Sequence, residues 1–302
     1  MIVILAVAAC GSGDDGPPDI DPGPRELACA ESELVGTFEI ALAEQFTSVQ
    51  GKVVDAVDPR LISVLTDSVG DCQLRVPPTL FCDPTCGADT TCNADAMCVP
   101  TSRGLSVGTV FVAGLKAPVS MTASSPVYFY TNLDPLDHPG FDEGDEIVLI
   151  AYNGDVDDFA LGGSGIVALS GLASSVPLDR DQPISLSWDP PGQQGLGMIL
   201  LDLNIAQHGG TPGRIECLVD DTGQFEIPVS LTNQLLDFGF SGFPSLSITR
   251  RSADSTTTGV GCVELIVQSQ VVLEIEIPGL TSCSKNEDCP PGENCLGDLT
   301  CG

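Results

Sequence analysis

A chain of 302 residues that sets 42 aspartates and glutamates against 11 lysines and arginines has a formal net charge of -31. Nucleic acid and anionic membrane surfaces are thereby excluded as partners, because both are bound through basic footprints that displace counterions. Apolar residues make up 42% of the chain, enough for one large or two modest cores, while aromatics are only 5%.

The chain opens MIVILAVAAC, with an apolar run from Ile2 to Ala9 that stops at Cys10. A membrane span needs about 20 apolar residues, so this run is too short to be one. The stretch Val7-Ala8-Ala9-Cys10 resembles the lipobox of bacterial lipoproteins, although no Lys or Arg precedes the apolar run. The resemblance implies that residues 1–9 are a signal peptide and that Cys10 is lipidated. It also implies that the chain is exported and lipid-anchored to the bacterial outer membrane, on its periplasmic or cell-surface side. The next stretch, GSGDDGPPDIDPGPRE, is too rich in Gly, Pro and Asp to fold, so residues 10–26 read as a lipidated cysteine and a disordered linker.

Residues 27–81 read as an N-terminal β segment, in which TFEIALAEQF places Phe38, Ile40 and Leu42 on one face. A cysteine-rich module follows at 82–103, CDPTCGADTTCNADAMCVP, with Asp, Asn, Gly and Pro between its cysteines, which is turn chemistry. Residues 104–278 carry a run of strand patterns punctuated by Gly, Pro and Asp: GTVFVAGL, PVYFYTN, DEIVLIAYNG, GIVALSGL, PISLSWDPP, GMILLDLNIAQ, RIECLV, QFEIPVSL, SLSITRR, CVELIVQ and VVLEIEI. Asn153-Gly154 predicts a type I′ hairpin turn. The fold class expected is all-β: an antiparallel β-sandwich body with small disulfide-rich modules, the last at 279–302. Within the body, PISLSWDPPGQQGLGMILLDL resembles an early strand pair of fibronectin type III-like sandwiches, which implies that Trp188 plugs the core.

With Cys10 set aside, twelve cysteines remain, an even number suited to disulfides in an exported chain. Zinc is the competing reading, but neither cluster offers the two short C-x2-4-C pairs of a structural site. Two disulfides are expected among Cys82, Cys86, Cys92 and Cys98, and two among Cys283, Cys289, Cys295 and Cys301. Each would close a loop of about a dozen residues, for about 3 kcal/mol in the loop-entropy model. The arrangement at Cys283 to Cys301 resembles the small secreted modules of the Dickkopf N-terminal or EB type. That resemblance implies extracellular display and first-to-third, second-to-fourth pairing. From neighbourhood alone, Cys29 is paired with Cys72 and Cys217 with Cys262.

Between Ala117 and Asp179 there is no Lys or Arg, and nine carboxylates fall between Asp134 and Asp158. Such a patch suits calcium, with Asp155, Asp157 and Asp158 the first candidates and Asp142, Glu143 and Asp145 the second, although neither stretch has EF-hand spacing. The acidity also serves as a solvated surface. Tyr128, Tyr130 and Tyr152 are candidates for an aromatic ligand platform, against the alternative that they belong to the core. Catalysis finds no constellation: His138 and His208 lie in different loops, Ser164 and Ser241 lack the G-x-S-x-G frame, and there is no G-x-x-x-x-G-K. The chain therefore reads as a non-catalytic, lipid-anchored binding or adhesion protein with a protein or glycan ligand. The alternatives are a structural envelope lipoprotein without a small ligand and a secreted hydrolase on a β scaffold.

Overall fold

The computed structural model describes residues 16–25, 28–206 and 213–302. The signal peptide, Cys10, the start of the linker and His208 lie outside the described residues. Residues 16–25 carry no strand or helix, yet the Arg25 guanidinium holds the body, donating to the Ser164 hydroxyl (2.6 Å) and the Gly163 carbonyl (2.8 Å).

Two hairpins come first, β1 (Leu34–Leu42) with β2 (Thr47–Val54) and β3 (Val64–Val69) with β4 (Cys72–Val76). The first cysteine module supplies the small pair β5 (Thr90–Cys92) and β6 (Cys98–Pro100). Then come β7 (Gly104–Leu105), β8 (Thr109–Ala113), β9 (Val119–Thr122), β10 (Phe129–Thr131), β11 (Glu146–Tyr152) and β12 (Phe159–Ser164). The second half holds β13 (Ser175–Pro177), β14 (Ile184–Ser187), β15 (Met198–Asn204), β16 (Arg214–Asp220), β17 (Gln224–Ile227), the helix α1 (Val229–Asp237), and two long strands, β18 (Ser245–Thr258) and β19 (Gly261–Glu276).

The long sheet runs β10-β2-β1-β19-β18-β15-β16-β4-β3. Its pairings are antiparallel except that β1 and β13 lie parallel to β19. Its first end packs against the four-stranded sheet β12-β11-β8-β9 around a core of Phe38, Ile40, Val112, Leu149, Leu161 and Leu265. Its second end packs against the pair β14–β17 and α1 around Leu74, Trp188, Leu201, Ile215, Leu231 and Ile248. Because strand side chains alternate with a period of two, one face of β19 serves both cores: Val263, Leu265 and Val267 enter the first, Leu273 and Ile275 the second. The body is all-β, two sandwiches sharing one sheet.

Segment 27–81 is therefore not set apart from 104–278. Its first hairpin lies beside β19 and its second beside β16, so both segments build both cores. The disulfides correct the neighbourhood pairing for the same reason. Cys29 bonds Cys262 and Cys72 bonds Cys217, because β1 runs beside β19 and the register sets Cys72 directly opposite Cys217. Within the modules the pairs are 82–92 and 86–98, then 283–295 and 289–301, first to third and second to fourth in both. All twelve cysteines among the described residues are bonded, which belongs to an oxidising, extracytoplasmic compartment. Asparagine and aspartate side chains shape the modules: Asn93 accepts the Asp95 and Met97 N–H groups, and Asp288 those of Ser284 and Lys285.

Four local expectations change. QFEIPVSL stops being a strand at Ile227, and the chain turns into α1, which buries Leu231 and Leu235 one turn apart. GIVALSGL is no strand; it is the crossover from β12 to the second core. Its backbone is satisfied by side chains: the Leu169 N–H donates to Ser269 Oγ (3.1 Å), and Arg250 donates to the Val167 (3.4 Å) and Ala168 (3.2 Å) carbonyls. Asn153 alone takes a positive φ, of 61°, in a loop longer than a two-residue hairpin. Gly154 is needed instead because a Cβ would collide with the Val107 backbone. In the stretch that resembles fibronectin type III, β14 and β15 do not pair but lie in different sheets, with Trp188 buried in the core they share.

Buried Arg250 joins the cores. Its Nε donates to Asp221 Oδ2 (2.5 Å) and its NH2 to the Asp189 carbonyl (2.7 Å), while the Trp188 indole donates to Asp221 Oδ1 (2.7 Å). Asp221→Ala strands that charge and should cost about 3–5 kcal/mol, read as a drop in the urea midpoint. Mass mapping of an unreduced digest should recover peptides joining Cys29 to Cys262 and Cys72 to Cys217; finding 29–72 would refute the strand order.

Candidate functional site

The two acidic trios lie in exposed loops and serve those loops. Asp158 Oδ1 accepts the Asn153 N–H (2.9 Å), Asp145 Oδ2 accepts the Asp142 N–H (2.7 Å), and Glu143 Oε1 accepts the Gln193 N–H (2.8 Å). Asp142 also pairs with Lys116 at 3.2 Å. Among the described residues neither trio brings three carboxylate oxygens within 4.8 Å of one another. The groups that come so close are Cys82, Cys86 and Cys92, and Cys283, Cys289 and Cys301, whose sulfurs are already in disulfides.

The tyrosines do not form a platform. Tyr130 is fully buried, with its ring 5.9 Å from that of Phe38 and its phenol oxygen accepting the Val107 N–H at 2.8 Å. Tyr128 precedes β10 with φ 47°, which turns it off the strand, and Tyr152 is half-buried at the end of β11. The exposed aromatic here is Phe129, which stands directly opposite Lys52. His138 is a loop buttress, its Nε2 3.1 Å from the Glu44 carbonyl and its Nδ1 3.4 Å from Thr47 Oγ1. Ser164 and Ser241 are buried.

What the fold does bring together is a charged cluster on the outer face of the long sheet. Register sets Arg75 on β4 opposite Arg214 on β16, a like-charge pair that needs a bridge. Glu31, from the segment ahead of β1, supplies it: Oε1 lies 2.7 Å from Arg214 and Oε2 3.4 Å from Arg75. Glu31 Oε2 also accepts from the Ser63 hydroxyl (2.6 Å) and N–H (2.8 Å). Burial pushes its carboxyl up, but the Ser63 bonds and the two arginines together hold it below its ordinary value. Burial raises Asp202 and Glu216 above theirs, with Arg214 opposing in both. Asp202 Oδ1 is buried without a hydrogen-bond partner among the described residues. Glu264, further along the sheet, is raised by burial against the opposing Cys29 N–H, Arg251 and Thr37 hydroxyl.

Beside this cluster an open concavity of about 260 Å³ is lined by Arg60, Leu61, Ser63, Arg75, Val76 and Arg214. Sequence reasoning missed it. The alternation of Arg75 and Arg214 with Leu74 and Ile215 marks them as outward-facing, but strand order alone makes them neighbours. A second open concavity, of about 560 Å³, is lined by Lys52, Ser102, Arg103, Pro126, Val127 and Tyr128. No family model matches the chain, and no curated protein matches it.

Glu31 and Glu264 act on stability with opposite signs. A carboxyl held below its ordinary 4.5 contributes stability above that pH and loses it as pH falls through the lower folded value. One raised above 4.5 contributes fully below that pH and loses it as pH rises through the higher folded value. In urea unfolding from about pH 4 to 8, Glu31→Gln should be less stable than the parent at neutral pH, with a deficit that shrinks toward the acid end. Glu264→Gln should gain on the parent as pH rises. Curves that run parallel to the parent's would contradict both assignments.

Proposed function

We propose that this chain is a non-catalytic binding or adhesion protein, held by a lipid on Cys10 at the bacterial outer membrane and facing the periplasm or the exterior. The observation that carries the binding reading is the placement of its scarce cations. Of 11 basic residues, Arg60, Arg75 and Arg214 line one open concavity and Lys52 and Arg103 line another, each beside apolar side chains. In a chain of net charge -31, open basic and apolar recesses suit recognition of a ligand with an anionic group on a larger body. The six disulfides support the same reading, since a cross-linked surface presents its recesses with little ordering left to do on binding.

The anchor and the binding role separate in one experiment. Cys10→Ser should move the protein from the membrane fraction to the soluble fraction, and retention in membranes would refute the lipid anchor. The released protein should show saturable binding on an array of glycans and extracellular proteins. A folded protein that binds nothing there would instead favour a purely structural envelope component.

A further inference from the structure

We propose that the margin of the long sheet formed by β10, β7 and the turn 124–128 binds the terminal acidic sugar of a glycan, a ring bearing one carboxylate. The proposal rests on the binding reading above and names the site and ligand class. Phe129 and Lys52 are a directly opposed antiparallel pair, so their side chains stand on one face of the sheet, and both are exposed. Arg103 leads into β7, which pairs with the continuation of the same strand β2 at Val53 and Val54. The recess of about 560 Å³ lined by Lys52, Arg103, Val127 and Tyr128 has room for a sugar ring and its neighbour, and Phe129 is the next residue along from that lining.

Three features point to a ligand. Val127 (56% exposed) and Phe129 (48%) flank a turn whose next residue inward, Tyr130, is fully buried, so apolar surface is displayed beside the core without being used by it. The display is fixed in place. Tyr128 is held at φ 47°, a conformation that a bulky residue adopts only under constraint, and its N–H donates to the Ser124 carbonyl at 3.0 Å. Gly104 lets β7 press against the turn, where a Cβ would collide with the Val127 carbonyl. Finally, neither Lys52 nor Arg103 forms an ion pair among the described residues; Asp55 gives its carboxylate to the Arg103 backbone N–H (2.7 Å) instead of the guanidinium.

The chemistry of the ligand follows from local and global charge together. A phenyl face takes the apolar C–H side of a sugar ring, and two unpaired cations take a carboxylate. The net charge of -31 repels a polyanion, so the ligand is one carboxylate on an otherwise neutral glycan, neither a polysulfate nor an anionic bilayer.

The test is calorimetry of the full chain with an oligosaccharide ending in glucuronate and with its neutral counterpart ending in glucose. The acidic sugar should bind more tightly. Lys52→Gln and Arg103→Gln should each weaken it about tenfold or more, as expected for loss of a charge-assisted hydrogen bond, and leave the neutral one unchanged. Phe129→Ala should weaken both sugars about fivefold, the size of an aromatic contact. Lys285→Gln, in the C-terminal module, should change neither, and unchanged melting temperatures would show each variant folded. Equal affinity for the two sugars, no binding of either, or tighter binding to heparin or to vesicles with anionic lipid would overturn the proposal. If the array finds a ligand whose binding ignores Lys52→Gln and Phe129→Ala, this site is wrong while the binding reading stands; an array with no ligand removes both.

Discussion

Arg250 lies buried where the two cores meet, and its donors reach the Asp221 carboxylate and the carbonyls of Val167, Ala168 and Asp189. A charge so placed is tolerable only when fully paired, and here the pairing organises its surroundings. Along one face of β18 the residues change from Leu246 and Ile248, which belong to the second core, to Arg250, Ser252 and Asp254. The polar three do the work of a missing ladder. Arg250 satisfies the crossover, Ser252 Oγ accepts the Ser164 N–H (3.0 Å), and Asp254 Oδ2 accepts the Gly162 N–H (2.6 Å) on the edge of β12. Two sandwiches are thus joined by a hydrogen-bonded seam instead of a third hydrophobic cluster. A slip of β18 by one residue would leave every one of these groups unpaired, so the seam fixes the register as well as the contact.

What was legible in the sequence is what depends on near neighbours. The alternation in β1 and in the second part of β19 showed because one face of the strand is buried there, and the module disulfides showed because each closes a loop of at most 12 residues in sequence separation. Cys29 and Cys262 are 233 residues apart and Cys72 and Cys217 are 145, and only the strand order brings them together. GIVALSGL has the composition of a buried strand, but its backbone partners are side chains on β18 and β19, which no local pattern reveals. Tyr128 and Tyr130 share a parity, yet the positive φ at Tyr128 breaks the alternation between them. The concavities escaped notice because their cations come from distant segments, Arg60 and Arg214 in one and Lys52 and Arg103 in the other.

The acidity, read along the chain, appears as a surplus; in the fold it divides by function. Loop carboxylates such as Asp158 and Asp145 cap backbone N–H groups and need no counterion. Those on the outer face of the long sheet, Glu31 and Glu216, are interleaved with arginines 2.7 to 3.4 Å away. Several basic residues are correspondingly placed: Arg75 and Arg214 inside this network, Arg250 at the seam, and Lys52, Arg60 and Arg103 at recesses, while Lys116 and Arg180 pair with exposed carboxylates.

Cys29 is bonded to Cys262 at the start of β19, the strand both cores share, and two residues later Glu31 is clamped by Arg75 and Arg214. Tension on the residues ahead of Cys29 therefore does not peel the chain from its end. It enters the middle of the sheet, where β1 and β19 lie parallel and the disulfide ties their starts together. The disulfide thus sets the point where the residues ahead of Cys29 join the body, on the strand that both cores share.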